Sequence, residues 1–316
     1  MNTLATSYTY LRKFNQAYEL LNECIEKSTI MNGIDHDKTI RYMISLGEAY
    51  TEDDRHEEAQ KLLRECFANI KNDDKRNVEI MTALSTSYIR TRHNDEAEKL
   101  LIECLEIYKR IQGENYPDTI AIMANLATVY EQQNKLDQVE AIRKECLAKS
   151  IVIMGKDNID TLKGMNNLAI CYRDQGKLDE AEQLFEECLK KRISILGLDH
   201  IDTLNTMSGL ANTYANQGRY DDSIELNLDC LERRKIILGE NHPDTLGTMI
   251  NLGISFKLMG KLDESLAFFK DCYDRRCIVL GKDHPDTLSS AERVDNIYHL
   301  QGKPSREEQL HGLLID

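Results

Sequence analysis

The chain has 316 residues and carries 54 Asp and Glu against 40 Lys and Arg, a formal net charge of −14. With no basic stripe and no stacking platform, that balance argues against nucleic acid as the main partner and suits a strongly solvated scaffold. No run of about 18 apolar residues offers a membrane span, and Met1-Asn-Thr-Leu-Ala-Thr-Ser-Tyr8 lacks the basic and apolar regions of a signal peptide, so a cytoplasmic location is expected.

One aromatic register sets the frame. Tyr8, Tyr50, Tyr88, Tyr130, Tyr172, Tyr214, Phe256 and Tyr298 follow one another at 42, 38 and then five times 42 residues. A fixed period of this size marks a stacked repeat array. It divides the chain into about eight repeats: 1–34 (partial), 35–73, 74–114, 115–156, 157–198, 199–240, 241–282 and a terminal cap at 283–316. The expectation is a single solenoid over 1–316, its stability roughly a sum of neighbour terms.

Taken in order, the first repeat is incomplete. Met1 stands seven residues before Tyr8 and joins a methionine ladder in the same register, Met43, Met81, Met123, Met165, Met207 and Met249. Half of a first helix is missing, as in a fragment of a longer chain. The second repeat holds Leu46-Gly-Glu-Ala-Tyr50 and Glu58-Ala-Gln-Lys-Leu-Leu-Arg-Glu-Cys66; its exit, Asn69 to Asn77, is four residues short, which predicts a shifted stacking angle. Later repeats open on Asn115-Tyr-Pro-Asp-Thr119, Asp157-Asn-Ile-Asp-Thr161, Asp199-His-Ile-Asp-Thr203, Asn241-His-Pro-Asp-Thr245 and Asp283-His-Pro-Asp-Thr287. An Asp or Asn cap, a proline in the first turn and an acid at the positive end of the dipole favour helix initiation.

In the fifth repeat Met165, Leu168, Ala169 and Tyr172 make one apolar stripe of a first helix. Gln175-Gly176-Lys177 interrupts it, with the glycine placed for a left-handed cap. Asp179 and Glu182 read as a capping-box variant opening a second helix, whose apolar face is Ala181, Leu184, Phe185, Cys188 and Leu189. Neither helix can bury its stripe alone, so each pair must pack on the next. The tail from Pro304 starts another second helix, with Ser305 and Glu308 as its capping box, and reads as a terminal cap.

Seven cysteines (Cys24, Cys66, Cys104, Cys146, Cys188, Cys230, Cys272) share one register. Equivalent positions in neighbouring repeats are too far apart for a disulfide or a shared zinc, so they are expected to be small buried residues where two helices touch. Cys171 and Cys277 fall outside that ladder and are the candidate reactive thiols. His36, His200, His242 and His284 read as turn and cap residues, and no metal site is expected. The Gly-Lys pairs at 155, 176, 260, 281 and 302 lack the spacing of a phosphate loop. No catalytic constellation survives the repeat. An enzyme is not expected, nor is a cofactor.

Leu280-Gly-Lys-Asp-His-Pro-Asp-Thr-Leu288, Asn167-Leu-Ala-Ile-Cys-Tyr172 and the Gln-Gly-Lys turn resemble the tetratricopeptide repeats of the kinesin light chain type, with their longer 42-residue unit. The resemblance covers the whole chain. It implies an all-α fold, a right-handed alpha-alpha superhelix of about sixteen antiparallel helices, whose first helices line a concave groove. Kinesin light chains also carry a heptad segment, and none stands in this sequence.

That geometry implies groove positions nine, six and two residues before each aromatic, and one and two after. In repeats five to seven they give Lys163, Asn166, Ile170, Arg173 and Asp174, then Asn205, Ser208, Asn212 and Asn216, then Ile250, Ile254, Lys257 and Leu258. Asparagine amides suit an extended peptide backbone, and Lys or Arg suits a carboxylate. The amino-terminal groove, with Arg41, Glu48, Glu52, Glu79 and Arg90, is mixed in sign; Asn2, Thr6, Ile44 and Glu48 do not make a carboxylate clamp for chaperone termini. The leading expectation is a non-catalytic scaffold or adaptor that binds a partner's peptide segment carrying an acidic and an apolar residue. A sensor segment of a larger signalling NTPase and a self-assembling structural array are the alternatives.

Overall fold

The computed structural model describes residues 2–70, 74–113 and 116–304. Among them it contains fifteen α-helices and no strand. They fall into two compact halves, 1–155 and 156–316, divided at a repeat boundary. The amino-terminal half holds α1 (Asn2–Tyr10), α2 (Phe14–Asn32), α3 (Asp37–Glu52), α4 (His56–Asn69), α5 (Asp74–Arg90), α6 (Asn94–Gln112), α7 (Pro117–Gln132) and α8 (Leu136–Met154). The carboxyl-terminal half holds α9 (Ile159–Asp174), α10 (Leu178–Leu196), α11 (Ile201–Asn216), α12 (Tyr220–Leu238), α13 (Pro243–Leu258), α14 (Leu262–Leu280) and α15 (Pro285–Leu300). Odd-numbered helices are the first of each repeat and even-numbered ones the second. The first helix of the first repeat, α1, has nine described residues, and the short exit of the second repeat shows as a 14-residue α4 where α2 and α6 have 19. The expected capping box at Ser305 and Glu308 lies outside the described residues.

Two local devices recur along the repeats. The first is the turn between the two helices. Gly176 takes φ +76°, its amide bonds the carbonyl of Arg173 at 3.0 Å, and the Lys177 amide bonds the carbonyl of Tyr172 at 2.9 Å. That bond pair is a Schellman cap, and the aromatic supplies its carbonyl. Arg12, Asp54, Arg92 and Asn134 hold the glycine's place in the first four repeats at φ +56° to +59°. The second device opens the first helix. His36, His200, His242 and His284 accept through Nδ1 from the amide two residues on, and Asn158 does so through Oδ1. The caps are thus chiefly the histidines; the expected Asp or Asn stands one residue too early, outside the cap. The threonine that follows ties the turn to the preceding helix: Thr203 and Thr245 donate to the carbonyls of Gly197 and Gly239, each at 2.9 Å.

The capping box expected at Asp179 and Glu182 does not form. Lys177 is the N-cap of α10 and makes no side-chain cap bond. Glu182 instead accepts from Gln217 and Arg219 of the following repeat, each at 2.7 Å, a pairing across repeats that a local motif cannot register.

The core runs between the helix pairs. Phe185 and Phe269 are almost fully buried, and each meets a glycine: a Cβ on Gly209 would stand 2.6 Å from Phe185, and one on Gly253 2.5 Å from Phe269. Leu21, Leu63 and Leu101 fill the same register in the first three repeats, and Arg143, paired with Glu131, stands there in the fourth. Asn227 is the second polar residue in it. It is fully buried, and neither its amide nitrogen nor its oxygen has a hydrogen-bond partner among the described residues.

All seven ladder cysteines are buried and unpaired with one another. Cys188, Cys230 and Cys272 donate to carbonyls of the preceding first helix, Leu162, Leu204 and Leu246, at 3.3, 3.4 and 3.7 Å. Burial pushes the Cys66 thiol up to about 11 and those of Cys104 and Cys146 up to about 12. Cys171 is also buried, at 3% exposure, which removes it as a reactive thiol; only Cys277 of the pair is partly open.

Candidate functional site

In the amino-terminal half α1, α3, α5 and α7 approach one another in succession, as α9, α11 and α13 do in the carboxyl-terminal half. Second helices make no comparable approach. A row of rods that crowds on one side curves toward that side, so the open registers of the first helices face inward within each half.

In the amino-terminal half this face is a groove of about 1190 Å³. Asn2, Thr6, Ile44 and Glu48 line it, with Arg41 and Glu79 at the outer register. These are positions nine, six and two before the aromatic, so the register transferred from the family places them correctly. Most charges there are already matched. Arg90 holds Glu52 at 2.5 Å, Arg41 holds Asp37 at 3.2 Å, and Tyr108 donates to Asp118 at 3.0 Å. Glu48 and Glu79 have neither an ion pair nor a hydrogen bond among the described residues. Glu48 is open to solvent along the groove, yet crowding by the groove walls and repulsion from Glu52 both push its pKa up.

In the carboxyl-terminal half the ten expected residues lie on α9, α11 and α13, but several are already occupied. Lys163 pairs with Asp160 at 3.2 Å, and Arg173 with Asp174 at 2.8 Å. Asn166 accepts from Thr206 at 3.1 Å, joining α9 to α11. Asn205 accepts from Arg234 at 2.6 Å. Ile250 and Ile254 are half-buried against the core of Phe269, Val294 and Ile297. Asn212 is half-buried, while Asn216 and Leu258 are exposed. Lys257 alone of the three cations makes no ion pair among the described residues.

Arg234 belongs to a feature the sequence reading missed. Arg192, Arg234 and Arg276 recur every 42 residues on the second helices. Each reaches through to the next first helix and donates to a backbone carbonyl and a hydroxyl there: Asp202 and Thr206, Asp244 and Thr248, Asp286 and Ser290. Arg192 and Arg234 are 2% and 5% exposed, so the inner face of this half rests on buried guanidinium groups. Their even spacing is the signal in the sequence. No group of three or more His, Cys, Asp or Glu that could hold a metal forms among the described residues. None of the described helices is long and apolar enough to cross a membrane.

The tetratricopeptide repeat family model matches residues 1–72, 78–151, 160–235 and 202–278. The chain belongs to the tetratricopeptide repeat family. Its 42-residue repeats are of the kinesin light chain type. No curated protein matches the sequence. Among solved structures it is similar to BtubC (BKLC) from P. vanneervenii, at 19% identity and TM-score 0.63, over 73% of this chain and 94% of that one. It is also similar to a signal transduction ATPase with a tetratricopeptide repeat sensor from Pyrococcus horikoshii, at 17% identity and TM-score 0.67, over 96% of this chain and 44% of that one. A third likeness is to the apo quorum sensor NprR from B. thuringiensis, at 14% identity and TM-score 0.67, over 97% and 82% of the two chains. NprR is also solved in complex with its cognate peptide NprX. At these identities the likeness is one of fold.

Proposed function

We propose that this protein is a non-catalytic adaptor that captures an extended peptide segment of a partner on the inner face of its first helices. The observation that carries this reading is that family groove registers line an open groove in the amino-terminal half. The NprR complex with NprX is a peptide complex of a protein with a similar fold.

For the carboxyl-terminal half we propose a segment bearing an acidic residue beside a large apolar one. Lys257 receives the acid, with Lys163 and Arg173 exchanging their own carboxylates for it. Leu258, Ile250 and Ile254 take the apolar side chain, and Asn166, Asn205, Asn212 and Asn216 border the backbone. Small interfaces of this kind bind weakly, in the micromolar range, and salt screens them over about 10 Å at 0.1 M. The test is fluorescence anisotropy with a labelled peptide carrying a Glu-Leu pair. Replacing Arg173 and Lys257 together by glutamate should abolish binding while leaving helicity unchanged. Equal binding by the double variant refutes the site.

The likeness to the sensor-bearing protein of Pyrococcus horikoshii, of which this chain spans 44%, favours a second reading as a sensor segment of a signalling NTPase. A nucleotide-binding domain encoded in frame beside the repeats would establish it.

A further inference from the structure

The amino-terminal groove has a different chemistry. Its apolar wall is formed by Ile44, Val78, Ala83 and Ile122. Its cations Arg90 and Arg41 are held by Glu52 and Asp37. Arg12 stands 5.8 Å over the Phe14 ring at the rim. Arg12 is the one lining cation without an ion pair among the described residues, and it is outnumbered by Glu48 and Glu79, two carboxylates on adjacent first helices that line the groove with no ion pair or hydrogen bond there. Two neighbouring carboxylates without counter-charges attract a cation brought into the groove.

The volume limits what that cation can be. A single metal ion needs converging ligands, and no such set forms among the described residues. The groove, at about 1190 Å³, is also larger than the roughly 300–1,000 Å³ of a small-molecule site. An extended chain fits both facts. Its side chains alternate from face to face, so basic and aliphatic groups can meet carboxylates and apolar wall in turn.

We propose that the groove of the first four repeats docks an extended segment of a partner protein that carries lysine or arginine between aliphatic residues. Glu48 and Glu79 receive its cations. This site rests on the adaptor reading above; its charge preference is opposite to that proposed for repeats five to seven, and failure of that site would leave this one standing.

The experiment uses the full chain and a fluorescein-labelled peptide of Lys-Val-Lys-Ala repeats, with a Glu-Val-Glu-Ala peptide as its counterpart. The double variant Glu48→Gln/Glu79→Gln should bind the lysine peptide about tenfold more weakly, the size of two partly screened charge contacts. Glu103→Gln/Glu106→Gln on the exposed face of α6 removes the same net charge and should bind it unchanged. Glu48→Lys/Glu79→Lys should turn the preference toward the glutamate peptide. Arg173→Glu/Lys257→Glu should leave the lysine peptide bound, which separates failure of either site from failure of the other. The proposal is overturned if the parent chain ignores the lysine peptide, if Glu48→Gln/Glu79→Gln binds it unchanged, or if the α6 control loses as much.

Discussion

Asn227→Leu should stabilise this protein, although it alters a fully buried residue. The register that Asn227 occupies is filled by Leu21, Leu63, Leu101 and an ion-paired Arg143 in the amino-terminal half and by Phe185 and Phe269 in the carboxyl-terminal half. An amide buried with neither end bonded costs about 1–3 kcal/mol. A leucine there removes that cost and adds about 1.5–3 kcal/mol of apolar burial. Against this stands overpacking, about 1–3 kcal/mol, because leucine is somewhat larger. The net expectation is a gain of about 1–3 kcal/mol. Phenylalanine should do worse, since Phe185 and Phe269 rely on Gly209 and Gly253, whereas Asn251 and Ala211 occupy the matching places around Asn227. Stability in a repeat array is a sum of local terms, so one melting midpoint is a blunt measure. Native-state hydrogen exchange of the α11, α12 and α13 amides is the suitable assay. A loss above about 1 kcal/mol in Asn227→Leu would show that the amide is satisfied in solution, and the reasoning would fail.

Arg234→Met should cost about 3 kcal/mol by urea unfolding, because it leaves the Asp244 carbonyl, the Thr248 hydroxyl and the Asn205 amide without their charged donor; a loss below 1 kcal/mol would make the arginine ladder dispensable. Cys277 should label first with a thiol reagent in the native state, with Cys171 and the seven ladder cysteines following only on opening. Rapid labelling of Cys188 or Cys230 would contradict the register. Glu48 makes stability fall as pH rises. Its folded pKa is raised, so the native state holds the proton longer than the unfolded chain, and the penalty grows from the unfolded value upward through the folded one. Glu48→Gln should therefore raise the melting temperature at pH 7 and leave it unchanged well below pH 4; equal melting at both would refute the shift. Tyr172→Ala should cost about 2–3 kcal/mol, under the about 3–5 of a fully buried aromatic, because this tyrosine is only half-buried. A loss below about 1 kcal/mol would place it outside the core.

The repeat was legible because its period is written in residues whose roles are local. The aromatic supplies the carbonyl of each hairpin turn, the histidine caps the next helix, and the cysteine donates back to a first helix, all within one or two helices of sequence. Contacts between repeats were less visible. The acid read as a capping box at Glu182 serves Gln217 and Arg219 instead, and the caps shifted from Asp or Asn to histidine by one residue. In both cases a local motif was outweighed by a partner or a backbone position that the sequence window does not contain.

The groove divides in the same way. In the amino-terminal half the register marked positions that line the groove, Asn2, Thr6, Ile44 and Glu48 among them. It did not reveal which of those side chains are free. Counting Lys163, Arg173 and Lys257 gives three cations, yet Asp160 and Asp174 hold two of them in place. Counting Arg41, Glu48, Glu52, Glu79 and Arg90 gives mixed sign, yet pairing leaves Glu48 and Glu79 as the unmatched groups. A groove's preference follows from the charge left after internal pairing, not from its composition. By that measure the amino-terminal groove carries a net demand for cations. Of the three cations expected on the carboxyl-terminal face, Lys257 alone makes no ion pair among the described residues, and it stands beside the exposed Leu258. Pairs at the exposed rim of that face are worth roughly 1 kcal/mol or less, so in the proposed site an acidic ligand would displace Asp160 or Asp174 at small cost.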